Sequence, residues 1–440
     1  MSEFTFQNAH LVSGTGDVSV ATDVVVADVV VADVVVADGV VTEIGQGLDV
    51  RGDTIDCSGK WLGPGFVDVH THLREPGQEW KEDITTGSRA AAAGGYTAVV
   101  AMPNTEPAID AGHLARFVAD RGRQVGLVDV IPAGCLSEGR KGQKLAHLDE
   151  LCDAGVRLFT DDGDTVADAG LLRRAMEYLA ERGRVVVQHC VDAGLAAGGQ
   201  MHEGEVSSRL GMAGVPAEAE EIVISRDLAL VRLTGVRYHV QHVSTAGAVA
   251  LIAAAKAEGL PVTAEVTPHH LYFDHSYVED TNPRYKMMPP LRDAADVASL
   301  REGLRSGVID MVATDHAPHA DHEKDHAWEE APFGVIGLEW AAAVVNTVMD
   351  LPAAEFFKVM STAPAELAGI DDQGTLAVGS PANLVVFDPG GTADTGRAVS
   401  RSSNSPYLGL ELSGRVLHTM YRGVFTVRDG VVAEPAGVAG

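Results

Sequence analysis

Eight apolar runs recur along the middle of the chain, and any fold must bury all of them. They are GFVDVH (65–70), YTAVVAM (96–102), LVDVIPAG (127–134), VRLFTDD (156–162), RVVVQHC (184–190), RYHVQHV (237–243), PVTAEVTPHH (261–270) and IDMVATDH (309–316). The first five begin about 30 residues apart, the length of one strand-plus-helix unit. Segments between them, such as ITTGSRAAAAGG and AEAEEIVISRDLALVRLTG, carry helical spacing. Near-continuous apolar strands separated by helices belong to a parallel sheet. Eight units predict a closed (β/α)8 TIM-type barrel over residues 64–371. A doubly wound open sheet is the alternative, but no GxGxxG follows the first run.

The two ends read as strands without helices. FTFQNAHLVS and VVTEIGQG lie within residues 1–63, and GTLAVGSPANLVVFDP and RVLHTMYRGVFTVRDGVVAEP lie within or run into 372–440. Neither end alone has enough apolar residues for a core, so together they are expected to form one small β-sandwich domain. The first end also holds a perfect tandem repeat, DVVVA three times over residues 23–37. Strand side chains alternate with period two, so a period of five cannot keep one face apolar. The repeat is expected to lengthen an edge strand or loop, its Asp residues guarding against edge-to-edge association.

Composition removes several classes of function. There are 62 acids against 33 bases, a net charge of -29, and only 8 of the bases are Lys against 25 Arg. A nucleic-acid partner calls for the opposite sign. The acids are spread along the chain, which fits either an ordinary acidic enzyme or a protein of a high-salt, halophilic cytoplasm, where self-repulsion is screened. Apolar stretches are broken by Asp or Gly well before the ~18 residues a membrane span needs. MSEFTFQNAH has neither a basic start nor an apolar core, so no secretory leader is expected. Cys57, Cys135, Cys152 and Cys190 form no CxxC, as suits a reducing cytoplasm.

The chemistry gathers at the C-terminal ends of the runs, where a parallel barrel places its active site. The first run ends His70-Thr71-His72, a spacing that puts both imidazoles on one side of an extended chain. The fourth ends Asp161-Asp162, the fifth His189, the sixth His242, and the eighth Asp315-His316, with His319 beyond. Histidines and carboxylates at one end of five strands point to metal binding. Imidazole with carboxylate suits Zn2+ before Mn2+, Co2+ or Fe2+. Six ligands exceed one tetrahedral site, and two cations about 3.5–4 Å apart fit the count. Such a site lowers the pKa of a bound water toward ~7 and makes it a hydrolytic nucleophile.

At these residues the chain resembles the cyclic amidohydrolases, and among them the class I (bacterial-type) dihydroorotases. The resemblance rests on PGFVDVHTHLREPG (64–77), AMPNTEP (101–107), LFTDDG (158–163), VVQHC (186–190), HVQHVSTAG (239–247), VTAEVTPHHL (262–271), ATDHAPH (313–319) and APFGVIGLE (331–339), with GSPANLVVFDP (379–389) and NSPYLG (404–409) toward the end. It implies His70 and His72 as ligands of a first metal completed by Asp315, and His189 and His242 as ligands of a second. Hydantoinases and allantoinases bridge the two with a carboxylated Lys from the fourth strand. That strand has no Lys here, and the resemblance implies Asp162 as the bridge, with Asp161 as the alternate. It implies Arg74 as the grip on the dihydroorotate carboxylate, suited to it by a planar fork, with Asn104 and His319 as helpers. Most members have Asn where Met288 stands, contacting the pyrimidine ring; allantoinases lack it too.

The implied reaction is the reversible opening of dihydroorotate to N-carbamoyl-aspartate in pyrimidine (UMP) synthesis, with Asp315 as the catalytic proton carrier. The rivals are an allantoinase or hydantoinase, or a non-catalytic relative that scaffolds aspartate transcarbamoylase. The resemblance further implies a homo-oligomer, and some members associate with that transcarbamoylase. Among the leftover side chains, His269 and His270 are expected to support the site or the barrel rim and His316 to stand behind the ligands. His322 and His326 are expected in solvent, and Cys190 in the core.

Overall fold

The computed structural model describes residues 3–13 and 30–435. Each of the eight runs contains a strand: Phe66–Thr71, Tyr96–Ala101, Asp129–Pro132, Leu158–Phe159, Val185–Gln188, Arg237–Val240, Val262–Val266 and Met311–Val312. The first three pair in parallel, as do the last five. Parallel bridges close the two gaps, Gly134 to Phe159 and Thr71 to His316, and the result is a closed barrel. Several of the helices that follow the strands have capped first turns. Asp83 accepts from Thr86 N ahead of Ile84–Ala93, and Thr245 from Ala248 N ahead of Ala246–Ala257. Among the described residues no helix is long and apolar enough to cross a membrane.

The two ends interleave in one nine-stranded sheet. Trp61–Pro64 joins the halves, pairing with Glu3–Leu11 on one side and Leu384–Thr392 on the other. The sheet folds back on itself. Phe4 and Phe425 stand four strand spacings apart along it, about 19 Å if flat. Their rings are 5.0 Å apart. The fold encloses a core that includes Phe6, Leu11, Val34, Val36, Leu384 and Met420. Trp61, Phe66, Phe356 and Phe387 form a ring cluster that joins this sheet to the barrel.

The DVVVA repeat departs from expectation. Residues 23–29 lie outside the described residues, but Val30–Ala37 is an interior strand between Glu3–Leu11 and Val40–Gly45, not an edge or loop. The awkward period is absorbed by a bulge. Pairing runs Phe6 to Val34 and then Ala9 to Ala32, so Gln7 and Asn8 stand opposite Asp33 alone. Ala32, Val34 and Val36 thereby share the core face. Asp33 is buried and accepts from Asn8 N at 2.9 Å and Leu48 N at 3.0 Å, so its carboxylate holds a bulge instead of guarding an edge.

Candidate metal centre and cavity

His70 and His72 leave the first barrel strand, and Asp162, His189, His242 and Asp315 follow the fourth, fifth, sixth and eighth. All six are at most 8% exposed. Their ligand atoms form three overlapping triads, each within 4.8 Å: His70–His72–Asp162, His70–His242–Asp315 and Asp162–His189–His242. Asp162 belongs to two of the triads, as do His70 and His242, and of these three only the carboxylate has two oxygens to share. Asp161 turns away and accepts from Leu136 N and Ser137 N, both at 2.9 Å, tying down the loop after the third strand.

The donor set fits divalent cations. Asp162 Oδ1 and His242 Nδ1 are buried with no hydrogen-bond partner among the described residues, which is costly unless something else pairs with them. Asp162 Oδ1 does lie 3.2 Å from His70 Nε2. Burial holds His189 and His242 below the usual imidazole range, and for His242 the neighbouring His189 adds to it. Both imidazoles are therefore neutral, as ligands must be. Burial also opposes charge on His70, but Asp162, Glu265 and Asp315 outweigh it and hold its pKa well above the ordinary value. Cations entering here would displace that proton.

Backbone conformation aims these groups. Arg74, His242 and Asp315 have φ of 61°, 31° and 46°. Left-handed backbone at non-glycine residues costs of order 1–3 kcal/mol each and persists where surroundings enforce it, commonly at functional sites.

A cavity of about 540 Å³ opens over the cluster, and five of the six side chains line it, all but His70. Arg74 lines it too, its Nε donating to Pro318 O at 3.2 Å. Burial lowers the Arg74 pKa to about 10, which leaves it charged at neutral pH. His319 is held neutral by burial and by the nearby Arg74 charge, and its Nδ1 has no hydrogen-bond partner among the described residues. Asn104 reaches the cavity, but its amide is already engaged. Its Oδ1 lies 2.8 Å from His72 Nδ1, and its Nδ2 donates to Asp162 Oδ2 at 3.4 Å. Met288 and Phe333 supply apolar wall.

The remaining histidines fall as expected for the most part. His322 and His326 are exposed, and Cys190 sits in the core beside Tyr238. His316 bonds Glu82 behind the site, while its carbonyl accepts from His72 N. His270 is fixed by Thr267 and Pro289 O, and His269 is buried beside it.

Sequence reasoning passed over the layer beneath. Glu265, 1% exposed, points into the barrel from the seventh strand. Its Oε1 lies 2.6 Å from His70 Nδ1 and accepts from His242 N at 3.2 Å, while Oε2 lies 3.0 Å from His239 Nε2. Burial would raise this carboxyl, but His70 and His239 bring it down to about 2. The available signal was a lone Glu in the apolar run PVTAEV, two residues before Thr267.

Comparison with known proteins agrees with this geometry. The Dihydro-orotase-like family matches residues 59–248. The chain is 46% identical over 409 residues to a dihydroorotase of Leifsonia xyli, covering 91% of this chain and 93% of that one. It is likewise 46% identical over 404 residues to a dihydroorotase of Mycobacterium tuberculosis, covering 89% and 94%. Among solved structures, the L-hydantoinase (dihydropyrimidinase) of Arthrobacter aurescens superposes with a TM-score of 0.87 at 28% identity, covering 99% of this chain and 98% of that one. A dihydropyrimidinase from Brevibacillus agri gives 0.82 at 25%, covering 99% and 97%.

Proposed function

The chain belongs to the dihydroorotase family, and from that premise we propose that it interconverts N-carbamoyl-L-aspartate and (S)-dihydroorotate in pyrimidine synthesis. The observation that carries the substrate is Arg74, a buried charged guanidinium in the same cavity as the histidine–aspartate cluster. A ring carboxylate pairs with that fork, whereas an uncharged cyclic amide gives it no partner.

His70, His72, Asp162, His189, His242 and Asp315 are the residues that would hold the metal, with Zn2+ the cation best suited to imidazole and carboxylate. Two cations held there would supply an activated water and a Lewis acid for the ring carbonyl. The rest falls to the protein. Arg74 fixes the ring by its carboxylate, and neutral His319 offers a ring nitrogen on the same wall. Asp315 lines the cavity 2.9 Å from His72 Nε2, placed to accept the proton of the attacking water and pass it to the leaving ring nitrogen. Ring closure uses the same groups in reverse. Asn104 keeps the His72 ring in place from behind. The excess of acids fits work in a high-salt cytoplasm.

The test is a rate comparison of metal-loaded enzyme on dihydroorotate, allantoin and dihydrouracil. Dihydroorotate is expected to be the preferred substrate by orders of magnitude. Faster turnover of either uncharged ring would overturn the reading.

A further inference from the structure

Residues 399–405 come from the C-terminal part of the chain, yet they lie against the loops of the barrel mouth. Val399 N and Ser400 N donate to Glu339, and Arg401 N to Glu82. Ser402 Oγ donates to Lys81 O at 2.6 Å, and Ser403 Oγ to Asp321 Oδ1 at 2.5 Å. The segment thus stitches the loop after the first strand, which carries Arg74, to the loop after the eighth, which carries His319.

Within it Asn404 is buried, 3% exposed, and faces the cavity wall. The Asn404 side chain makes three contacts, all to backbone at the cavity. Oδ1 accepts from His319 N at 3.1 Å. Nδ2 donates to Ala317 O at 3.0 Å and to Gly334 O at 3.1 Å. Both of its N–H groups are therefore used. Ala317, His319 and Gly334 all line the cavity. Their fit is close: a Cβ at Gly334, where φ is 128°, would stand 2.9 Å from Ala317 Cβ and 3.0 Å from His319 Nε2. A small shift of either segment moves the His319 ring.

We infer that Asn404 is a positioning residue for substrate recognition, its amide setting where His319 and Gly334 stand in the cavity. The inference rests on the dihydroorotase reading for the substrate it names. It needs no contact between Asn404 and substrate. Only an amide of this size offers one acceptor and two donors in this plane. An aspartate keeps the acceptor but turns a second oxygen toward two carbonyls.

The experiment compares Asn404→Asp, Asn404→Ala and Asn404→Ser with wild type in KM, kcat, metal content and melting temperature. A misplacement of about 1 Å can cost on the order of 10²-fold. Asn404→Asp at pH 8 is expected to raise KM for dihydroorotate at least ~10-fold, with kcat changed far less and metal content unchanged. Near pH 5 the buried carboxyl is protonated and can donate to one carbonyl, so its KM relative to wild type falls. Asn404→Ala shows the rise in KM without that recovery. A variant that loses melting temperature or kcat but keeps wild-type KM overturns the inference, as does an absence of any pH-dependent difference between Asp and Ala. If Asn404→Asp does not fold, Asn404→Ala and Asn404→Ser decide by KM alone. If wild type prefers another cyclic amide, the functional reading fails, and the same variants are read with that substrate. An unchanged KM there overturns the positioning role as well.

Discussion

Replacing Glu265 with Gln isolates the charge beneath the metal cluster. The carboxylate serves three groups: the His70 and His239 rings and His242 N. A glutamine oxygen in the Oε1 position keeps the contacts to His70 Nδ1 and His242 N. Its amide nitrogen then faces His239 Nε2 across 3.0 Å, which is tolerated once His239 carries its proton on Nδ1, 2.8 Å from Thr263 Oγ1. Most contacts therefore survive, and the negative charge is what is lost. Hydrogen bonds to charged groups are worth about 1.5–3 kcal/mol against about 0.5–1.5 for neutral ones, so the loss is about 1–1.5 kcal/mol per bond. Of the two imidazoles only His70 belongs to the cluster, so metal affinity falls by about 1–1.5 kcal/mol, near the lower end of the ~10–100-fold that such outer partners contribute. The assay is chelator competition at graded concentrations with metal per chain read by mass spectrometry. The apo proteins are melted in parallel to show that the fold is intact. Glu265→Gln should retain metal ~5–10-fold less tightly. Retention within twofold of wild type would refute the claim that this charge orients and polarises His70.

Four other outcomes are expected. Asp162→Ala should strip the metal while Asp161→Ala mainly loosens the loop at Leu136 and Ser137; if Asp161→Ala alone removes metal, the two roles are exchanged. Arg74→Met should raise KM for dihydroorotate by a factor of ten or more with metal content unchanged, and an unchanged KM would take Arg74 out of carboxylate recognition. Glu339 gives a pH dependence: burial, opposed by the N–H groups of Val399 and Ser400, raises its pKa from 4.5 to about 7. The folded state then binds the extra proton between those values, so this group's contribution to stability is present below pH 4.5 and lost as pH rises through 7; Glu339→Gln should flatten that part of the melting curve, and identical curves would dismiss the shift. The net charge of -29 predicts a melting temperature that climbs from 0.1 to 2 M KCl, because the Debye length shrinks from ~10 Å at 0.1 M to ~3 Å at 1 M. Two of the eight lysines, Lys286 and Lys324, are buried and offset nothing at the surface. A flat response would leave an ordinary acidic protein.

The barrel was legible because its strands are apolar runs at near-regular spacing with helical segments between them. The cluster was legible because its histidines and aspartates sit where strands end, at positions such as His70, His189 and Asp315. Glu265 and His239 were harder to read. They lie inside strands whose neighbours are apolar, and the interior layers of a barrel come from residues far apart in sequence. The choice between Asp161 and Asp162 turned on which carboxylate the loop at Leu136 and Ser137 captures, a contact 24 and 25 residues away. The DVVVA strand was misplaced for a similar reason. Its period is resolved by a bulge in the strand opposite, at Gln7 and Asn8, which the repeat itself cannot reveal.

The strap at 399–405 also sets an order of events during synthesis. Asp315, the last of the six clustered side chains, precedes Asn404 by 89 residues (404 − 315). At ~5–20 residues per second, a ribosome needs about 4–18 s to cover that distance. Trp61–Pro64 waits similarly for its partner strand Leu384–Thr392. All six clustered side chains are therefore made while the wall that carries His319 is still unpinned. The wall of the cavity that carries His319 is thus completed only as translation nears its end, and a chain cut short before Asn404 would lack the contacts that hold it.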